Sequence, residues 1–460
     1  MTDASKTGKL KITFCSGANT VTGANFLVES DGVKFLIDCG LVQGNNQQAN
    51  EANWSPFPYD PKTIDILFIT HAHIDHIGRI PRLIAEGFQG KIYSTIPTKD
   101  LINPMLEDTG HILAKDIIHG LDKIYTKENT EKALALWEGV EYYETINIQG
   151  GFAVKFLNAG HILGSAMIEI VRNGKKIVFT GDLGNSPSPI LPDTDIITDV
   201  DYLIMESTYG DRNHEPHEVR RNMLERAIED NVKRRGVLMI PTFSLERTQE
   251  LLFEINEMIE NNQIPLVPFF LDSPLAIRLT DVYVKYTSYF NEKVKAIIAS
   301  GDNIFMFKGL KETPETEQSK MILKMASPKV IIAGSGMSSG GRITHHEINY
   351  LPDPNNSLLL TGYQTPGTLG RSIQDGDKKV HIAGQEIIVR ANVSTIEGYS
   401  GHKDSDNLIK FVEDTAETIK KVFVVMGEPK SSMFLVQKLR DYLAIDAIAP
   451  ETGQSVEIEA

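Results

Sequence analysis

The fold is decided by residues 66–76, where the apolar run ILFI is followed by Thr70 and then by HAHIDH at 71–76. The apolar run predicts a buried β-strand, and the polar side chains begin where that strand ends. A strand end holds the backbone rigidly, so the turn after it can direct several side chains around one point. Imidazole and carboxylate groups suit zinc, and each zinc ion needs about four of them. The segment therefore predicts a metal site at the end of a strand.

One cluster of this size cannot complete two zinc shells, so further ligands must come from elsewhere in the chain. Two candidates also follow predicted strands: His161 comes after 153–157, and Asp182 comes after 176–179 within the sequence GDLG. A third candidate, His402, lies in the small-residue turn SGHKD before a predicted helix. Alone, each would more often be a surface turn residue, but the HAHIDH cluster makes a shared site the better interpretation.

Composition limits the class of protein. The chain has 460 residues, enough for several domains, and its net charge of −15 argues against general nucleic-acid binding while allowing a local basic groove. Two cysteines, Cys15 and Cys39, exclude a disulfide scaffold and suit a reducing cytoplasm. No segment has the length of apolar sequence that spans a bilayer, and residues 1–10 lack the apolar core of a signal peptide. We therefore expect a cytoplasmic protein without a membrane partner.

The predicted secondary structure changes character after Glu206. Before it, short strands alternate with turns such as Asp31-Gly32 and Asn173-Gly174, which predict hairpins, and residues 99–138 read as polar helical sequence. After it, helices alternate with single apolar runs, which indicates a parallel α/β sheet. Short strands return from about residue 387. The pattern predicts one β-rich layered domain interrupted by an α/β domain.

These motifs together resemble the metallo-β-lactamase superfamily, through HAHIDH at 71–76, His161, Asp182 and Asp38. The resemblance narrows to the β-CASP nucleases because ESTYG at 206–210 is similar to their motif A and YSGH at 399–402 to their motif B. Further matches are PTF at 241–243, RTQE at 247–250, GM at 336–337, and GYQ at 362–364 through Gly370-Arg371.

The resemblance implies an α/β fold: an αββα metallo-β-lactamase sandwich with an inserted α/β β-CASP cap domain. It places the first part of the sandwich at 1–208, the cap at 209–393 and the completing part at 394–460. The chain begins almost at its first strand, so we expect no N-terminal KH domains of the kind found in archaeal relatives.

The resemblance also implies a role for each site residue. One zinc ion would take His71, His73 and His161, the other would take Asp75 and His76, and Asp182 would bridge them. Asp38 would orient the ligands or the nucleophilic water without itself binding a metal ion, and a metal-bound hydroxide would attack phosphorus. The catalytic set is then Asp38, Asp75, Glu206 and His402, in which His402, held by Glu206, protonates the leaving oxygen.

One position departs from the family. Motif C is normally a His-Gly-Glu turn whose histidine binds zinc, but this chain has Met426-Gly427-Glu428. A thioether is a poor zinc ligand. We therefore expect one tightly bound Zn²⁺ and a second that is weaker.

Substrate contacts are also predicted. The loop at 334–341 resembles a phosphate-binding turn, with Gly336, Met337 and Ser338 as its candidate residues, and Arg247, Arg278, Arg342 and Arg371 are candidate phosphate contacts. The expected partner is single-stranded RNA in the groove between the domains. The sequence leaves open endonuclease against exonuclease activity and the oligomeric state, for which a homodimer is one arrangement.

The leading interpretation is a zinc-dependent ribonuclease of RNA processing or decay. One alternative is a small-molecule hydrolase of the thioesterase or lactonase type, which would not need a cap carrying these motifs. Another is a weakly active or non-catalytic scaffold, which Met426 favours. A third is a DNA nuclease, although a histidine at motif B is typical of the RNA-processing branch.

Overall fold

The computed structural model describes residues 8–44, 47–114, 120–365 and 367–460, without the side chains of residues 47 and 48. The described residues form two compact units. The first comprises Met1–Ser188, Asp193–Asn213 and His402–Ala460, and the second comprises Pro189–Pro192 and His214–Gly401. None of the helices in these described ranges is both long and apolar enough to cross a membrane.

In the described part of the chain, the first unit begins with eleven strands and six α-helices. The strands are β1 (Lys9–Ser16), β2 (Asn25–Ser30), β3 (Val33–Ile37), β4 (Ile66–Phe68), β5 (Lys91–Thr95), β6 (Trp137–Val140), β7 (Ile146–Ile148), β8 (Phe152–Asn158), β9 (Ala166–Arg172), β10 (Lys175–Phe179) and β11 (Tyr202–Met205). The helices are α1 (Gln47–Trp54), α2 (Ile74–Ile77), α3 (Ile80–Ala85), α4 (Ile96–Leu113), α5 (Leu121–Ile124) and α6 (Lys127–Ala135).

The second unit follows, and the chain then returns to the first. The strands of the second unit are β12 (Val237–Pro241), β13 (Phe269–Leu271), β14 (Leu310–Glu312), β15 (Lys329–Ala333), β16 (Ser357–Thr361), β17 (Lys379–Ile382), β18 (Gln385–Ile388) and β19 (Asn392–Ile396). Its helices are α7 (His217–Arg234), α8 (Arg247–Glu260), α9 (Pro274–Lys285), α10 (Glu292–Ala299), α11 (Thr316–Ile322), α12 (Gly341–Tyr350) and α13 (Leu369–Gln374). The returning segment adds β20 (Lys421–Val424), β21 (Ala447–Ile448), β22 (Ser455–Glu459), α14 (Ser405–Glu413) and α15 (Pro429–Leu443).

The first unit contains two seven-stranded mixed sheets. Their orders are β22-β1-β2-β3-β4-β5-β6 and β21-β20-β11-β10-β9-β8-β7. Phenylalanines from the two sheets meet in one buried core: Phe35 lies 5.3 Å from Phe152, and Phe14 lies 5.6 Å from Phe423, between ring centroids. A second apolar cluster joins the other face of the second sheet to α14 and α15. The two sheets therefore pack face to face with helices outside, which is an αββα sandwich.

The second unit contains a six-stranded sheet of order β14-β13-β15-β12-β16-β19 in which every pairing is parallel. Its central strands β12 and β15 are buried along their whole length, whereas β8 of the sandwich alternates buried and half-buried residues. Continuous burial is typical of a parallel sheet covered on both faces, and alternation is typical of a strand with one inner face.

The predicted fold class is confirmed: a sandwich domain is interrupted by a parallel α/β domain. Both predicted hairpins are present, β2 to β3 at Asp31-Gly32 and β9 to β10 at Asn173-Gly174. The prediction of helix throughout 99–138 is wrong near its end, because Trp137–Val140 forms β6 beside β5. The limits 209 and 393 for the cap stay a prediction.

Candidate metal centre

The predicted site residues come from strand ends in both sheets of the sandwich. His71 follows β4 in the first sheet, while His161, Asp182 and Glu206 follow β8, β10 and β11 in the second. Asp75 and His76 lie on the one-turn helix α2, where the sequence predicts only a turn after the strand. That turn is held by backbone bonds: the amide of Ala24 donates to the carbonyl of Asp75 at 2.9 Å.

Two glycines allow the ligand-bearing segments to come this close. A Cβ on Gly40 would lie 1.5 Å from the carbonyl oxygen of Asp75, and a Cβ on Gly184 would lie 1.8 Å from that of Gly160. No side chain can be accommodated at such distances, so both positions require glycine. Gly40 allows the segment after β3 to pack closely against α2. Gly184 allows the loop after Asp182 to pack closely against the loop that carries His161.

The first ligand group consists of His71, His73, His161 and Asp182. His73 Nδ1 lies 3.0 Å from His71 Nε2 and 3.1 Å from His161 Nε2. Asp182 Oδ2 lies 3.4 Å from His71 Nε2 and 3.6 Å from His161 Nε2. Donors about 2.0–2.2 Å from a tetrahedral metal ion would be roughly 3.3–3.6 Å apart. The group fits one metal ion with four protein donors.

The second ligand group consists of Asp75, His76 and Asp182. His76 Nε2 lies 3.3 Å from Asp182 Oδ1 and 3.9 Å from Asp75 Oδ2. Both His76 Nε2 and Asp182 Oδ1 are buried, and neither has a hydrogen-bond partner among the described residues. Buried polar atoms are nearly always satisfied, and a bound cation would satisfy both of these atoms. The residues present therefore fit a second metal ion.

Side chains behind the ligands fix their orientation. Asp38, which is buried, accepts from the Thr70 amide and hydroxyl at 2.8 Å each and contacts His76 Nδ1 at 2.7 Å. Thr70 also contacts His71 Nδ1 at 3.0 Å. Ser165 accepts from the His161 amide at 3.0 Å. The partners of the His71 and His76 rings set which imidazole nitrogen faces the metal, whereas Ser165 fixes the backbone at His161. Thr70 and Ser165 were not predicted, because a lone hydroxyl beside a ligand carries no distinct sequence signal.

The pKa values of the ligands follow from burial and charge. Burial, reinforced by neighbouring imidazoles, lowers the pKa of His71 and His73 well below the usual value, which keeps both rings neutral as metal ligands must be. Burial acts in the same direction on His76, but the carboxylates of Asp182 and Asp38 outweigh it and raise its pKa. Burial raises the pKa of Asp75 to about 6. In the metal-free protein, the raised pKa of His76 favours its imidazolium form beside these carboxylates.

Met426 lies in the turn after β20 and is 2% exposed. Its amide donates to the carbonyl of Gly17 at 2.7 Å, and its φ of 48° lies in the left-handed region. The side chain belongs to the apolar core between the sheets, and with Asp38 and His76 it lines a cavity of about 10 Å³. That volume is about what one water molecule needs. The motif C position thus adjoins the second ligand group without supplying a nitrogen donor.

His402 lies beside the shared carboxylate. Its Nδ1 is 3.1 Å from both carboxylate oxygens of Glu206 and 4.0 Å from Asp182 Oδ2. Glu206 is fully buried and also accepts from the Leu183 amide at 2.6 Å. Burial disfavours the imidazolium, but Glu206 and Asp182 outweigh burial and raise the pKa of His402 to about 9. The pair can therefore hold a proton at neutral pH. Asp182, Glu206 and His402 are also close enough to form a third ligand group.

The predicted substrate residues lie in the second unit. Arg247 is stacked on Phe243 and donates to the carbonyls of Thr361 and Tyr399 at 2.6 and 3.0 Å. Arg371 pairs with Asp375 at 2.9 Å, and Arg342 pairs with Asp272 at 2.7 Å.

The predicted loop residues make internal contacts as well. The Ser338 hydroxyl donates to Glu347, Met337 accepts from the Gly370 amide at 3.0 Å, and a Cβ on Gly336 would lie 2.7 Å from Phe243. Their contact with RNA stays a prediction.

An αββα sandwich with His and Asp ligands at adjoining strand ends defines a metal-dependent hydrolase. Three domain families match the chain: a metallo-beta-lactamase superfamily domain at residues 27–207, a Beta-Casp domain at 248–373, and a Zn-dependent metallo-hydrolase RNA specificity domain at 386–450. The chain belongs to the β-CASP family of the metallo-β-lactamase superfamily. The predictions of this family, of a metal-dependent hydrolase and of divalent-metal binding are confirmed, and the third matched domain supports RNA binding.

Named relatives resemble the chain over most of its length. Ribonuclease TTHA0252 of Thermus thermophilus is 37% identical, with 93% of this chain and 95% of the relative covered. An RNase J-like protein of Methanocaldococcus jannaschii is 34% identical, with 94% and 96% covered. The transcription termination factor FttA of Methanosarcina mazei is 30% identical, with 99% and 72% covered. A crystal structure of a protein of unknown function from Enterococcus faecalis V583 shares the fold, with a TM-score of 0.58, 15% identity, and 98% and 100% coverage.

Proposed function

We propose that the protein is a ribonuclease that hydrolyses phosphodiester bonds of single-stranded RNA with zinc as its metal. The observation that carries the proposal is the His402–Glu206 pair beside Asp182, the carboxylate shared by the two ligand groups. This arrangement places a proton donor next to a site for two cations, which is what phosphodiester hydrolysis requires. Similarity to proteins named as ribonucleases supports RNA as the substrate.

Each residue of the site has a proposed role. Bound divalent ions supply charge stabilisation at the phosphoryl oxygens and acidify water. Asp182 and the histidines hold the cations, while Asp38 and Thr70 keep His71 and His76 oriented toward them. Because His402 turns Nδ1 toward Glu206, its Nε2 proton is the one it would transfer to the leaving ribose oxygen. Asp75 completes the second ligand group.

Zinc is proposed because its preferred donors are imidazole nitrogen and carboxylate oxygen in a four-donor shell. The first ligand group has four such donors, so it should retain one zinc ion tightly. The second group has three donors and Met426 nearby, so its zinc should exchange more readily.

The decisive experiment follows end-labelled RNA incubated with zinc-loaded protein, with chelator-treated protein, and with His402→Ala. We expect cleavage that the chelator abolishes and zinc restores. His402→Ala should keep its zinc and slow cleavage by roughly 10²–10⁴-fold, the usual range for loss of a general acid. With a nitrophenyl phosphodiester, whose leaving group needs no proton, His402→Ala should slow cleavage less than it does with RNA.

His381→Ala is the matched control, because this histidine lies exposed on β17 in the second unit. It should cleave RNA as the wild type does. If His402→Ala instead loses zinc, His402 is a metal ligand of the third group and the acid assignment is wrong. If RNA is not cleaved under any zinc loading, the ribonuclease proposal is wrong.

RNA binding itself can be tested separately from cleavage. With a net charge of −15, the protein must hold phosphates through a local basic surface. RNA affinity should then fall as salt rises, with a slope of roughly 0.7 per phosphate contact. An affinity that does not respond to salt would favour a small neutral substrate.

A non-catalytic RNA-processing scaffold is the second candidate function, and Met426 is the observation that favours it. The ligands of the first group and the His402–Glu206 pair are nevertheless all present and close together. Chelator-sensitive cleavage would exclude the scaffold, whereas RNA binding without turnover at saturating zinc would support it.

A further inference from the structure

Lys403, the residue after His402, is a buried lysine that the proposed mechanism does not use. It is 6% exposed, and among the described residues no carboxylate forms an ion pair with it. Its ammonium donates instead to the Gly184 carbonyl at 2.9 Å and to the Ser186 hydroxyl at 3.2 Å. Burying a cation without a carboxylate is costly. Bonds that compensate this cost must hold the two segments firmly together.

Both acceptors belong to the loop that carries Asp182. The same loop is bound to the His402 segment through its backbone: the Lys403 amide donates to the Leu183 carbonyl at 2.8 Å. Gly184 and His402 also form an isolated antiparallel bridge. Glu206 connects the two segments once more, since it accepts from the Leu183 amide and contacts His402.

We propose that Lys403 is a positioning residue, which fixes the separation between the proton donor His402 and the metal-binding carboxylate Asp182. This inference rests on the proposed function, in which the distance between these groups governs proton transfer to the leaving oxygen. The ammonium does not touch the reacting atoms. Its two hydrogen bonds hold the 183–186 loop next to the segment that carries His402. The Nδ1 of His402 lies 4.0 Å from Asp182 Oδ2.

A second buried lysine provides a matched control. Lys329, on β15 of the second unit, is 1% exposed, and its ammonium also donates to two acceptors, the carbonyls of Ile322 and Met325 at 2.6 and 2.7 Å. No predicted metal ligand or proton donor is among its partners. Substitution of Lys329 therefore measures what loss of a buried, carbonyl-bound ammonium does to stability alone.

The test compares Lys403→Met, Lys403→Gln, Lys329→Met and His402→Ala on RNA and on a nitrophenyl phosphodiester, with zinc content and thermal unfolding measured for each. Lys403→Met should slow RNA cleavage by about 10–100-fold, because small misplacements of reacting groups cost up to about 10²-fold. The nitrophenyl ester should lose less than about threefold, and zinc content should stay at the wild-type value. Lys403→Gln retains a donor and should be intermediate.

Lys329→Met should lower the unfolding temperature and leave the ratio of the two rates unchanged. The inference is overturned if Lys403→Met slows both substrates equally, releases zinc, or behaves as the wild type. It is also overturned if neither Lys403 variant folds, because Lys403 would then be a structural residue. A His402→Ala variant whose rate ratio is unchanged would instead contradict the acid role in the proposed function, which separates the two failures.

Discussion

The two ligand groups that meet at Asp182 differ in the number of donors they offer. The first has three imidazoles and a carboxylate. The distances between neighbouring donor atoms in this group include 3.0, 3.1 and 3.4 Å. The second has one imidazole and two carboxylates, and its closest pair leaves buried atoms unsatisfied. Each group has one histidine whose Nδ1 contacts Thr70 or Asp38, His71 in the first group and His76 in the second.

The turn at the motif C position keeps its backbone arrangement although its side chain offers no nitrogen donor. The turn at Met426 keeps its backbone bond to Gly17 and its left-handed conformation, while its side chain joins the apolar core. A bond between Ser207 and the Val425 carbonyl at 2.8 Å supports the same turn. The framework of motif C therefore persists, and only the donor atom has changed.

The largest expected effect comes from Asp182→Asn, because this carboxylate serves both groups. Zinc should be lost from both sites, and RNA cleavage should fall by more than the roughly 10–100-fold that loss of an outer-shell partner costs. Zinc stoichiometry and RNA cleavage measure the two effects. Asp446→Asn, which removes a surface ion pair with Lys421, is the control and should change neither. Retention of two zinc ions by Asp182→Asn would contradict the assignment of Asp182 as a ligand shared by both groups.

A paired experiment separates the groups. Asp75→Ala should abolish cleavage while the tightly held zinc stays, because Asp75 belongs to the second group alone. His161→Ala should release the tight zinc, because His161 belongs to the first group alone. Equilibrium dialysis against zinc, with circular dichroism as the check on folding, distinguishes the variants. The comparison is wrong if both variants lose the same zinc ion, or if Asp75→Ala turns over RNA at the wild-type rate.

Met426→His should bring the two groups closer in affinity. It would supply an imidazole donor at a position whose φ of 48° histidine tolerates comparatively well. The second zinc should bind at least about tenfold more tightly, which corresponds to about 1.4 kcal/mol. Zinc titration by calorimetry measures the change, and cleavage at low zinc should rise if occupancy limits turnover.

Met426→Leu is the control for that experiment, because it removes the sulfur and keeps an apolar side chain. It should leave zinc affinity unchanged. Two tight zinc ions in the wild type would show that water in the adjoining cavity, or another residue, already completes the second shell. An unchanged affinity in Met426→His would show that the side chain at 426 does not face the metal.

The smallest expected effect is a pH dependence of the metal-free protein. The pKa of His402 is raised from about 6.5 in the unfolded chain to about 9, so the folded protein binds the extra proton between these values. Its contribution to the free energy of unfolding is therefore fully present below pH 6.5 and lost as pH rises through about 9. Urea unfolding of chelated protein should show a loss of roughly 1–3 kcal/mol over this range. His402→Ala should reduce this pH dependence and leave the part due to His76, whose pKa is also raised; an unchanged slope would contradict the Glu206–His402 interaction.

Much of the centre could be predicted from the chain because ligand chemistry is local. His71, His73, Asp75 and His76 are close in sequence and follow a strand, so their side chains must be near one another in any fold that contains the strand. The change after Glu206, from short strands and turns to helices alternating with single apolar runs, likewise distinguished the sandwich from the parallel α/β unit. The short helix at Asp75 was missed, since one turn is too short to show periodicity.

The class of the protein and its candidate metal ligands could be recognised from the sequence, because donor type and position after an apolar strand are local features. Only the tertiary structure decided which side chains orient those ligands and which guanidinium groups are already bound. Thr70 and Asp38, or Lys403 and Gly184, are far apart in the chain and meet only after the sheets pack. Lys403, next to His402 in the sequence, reads as a surface charge, and only the structure shows that it is buried and donates two hydrogen bonds to the 184–186 loop.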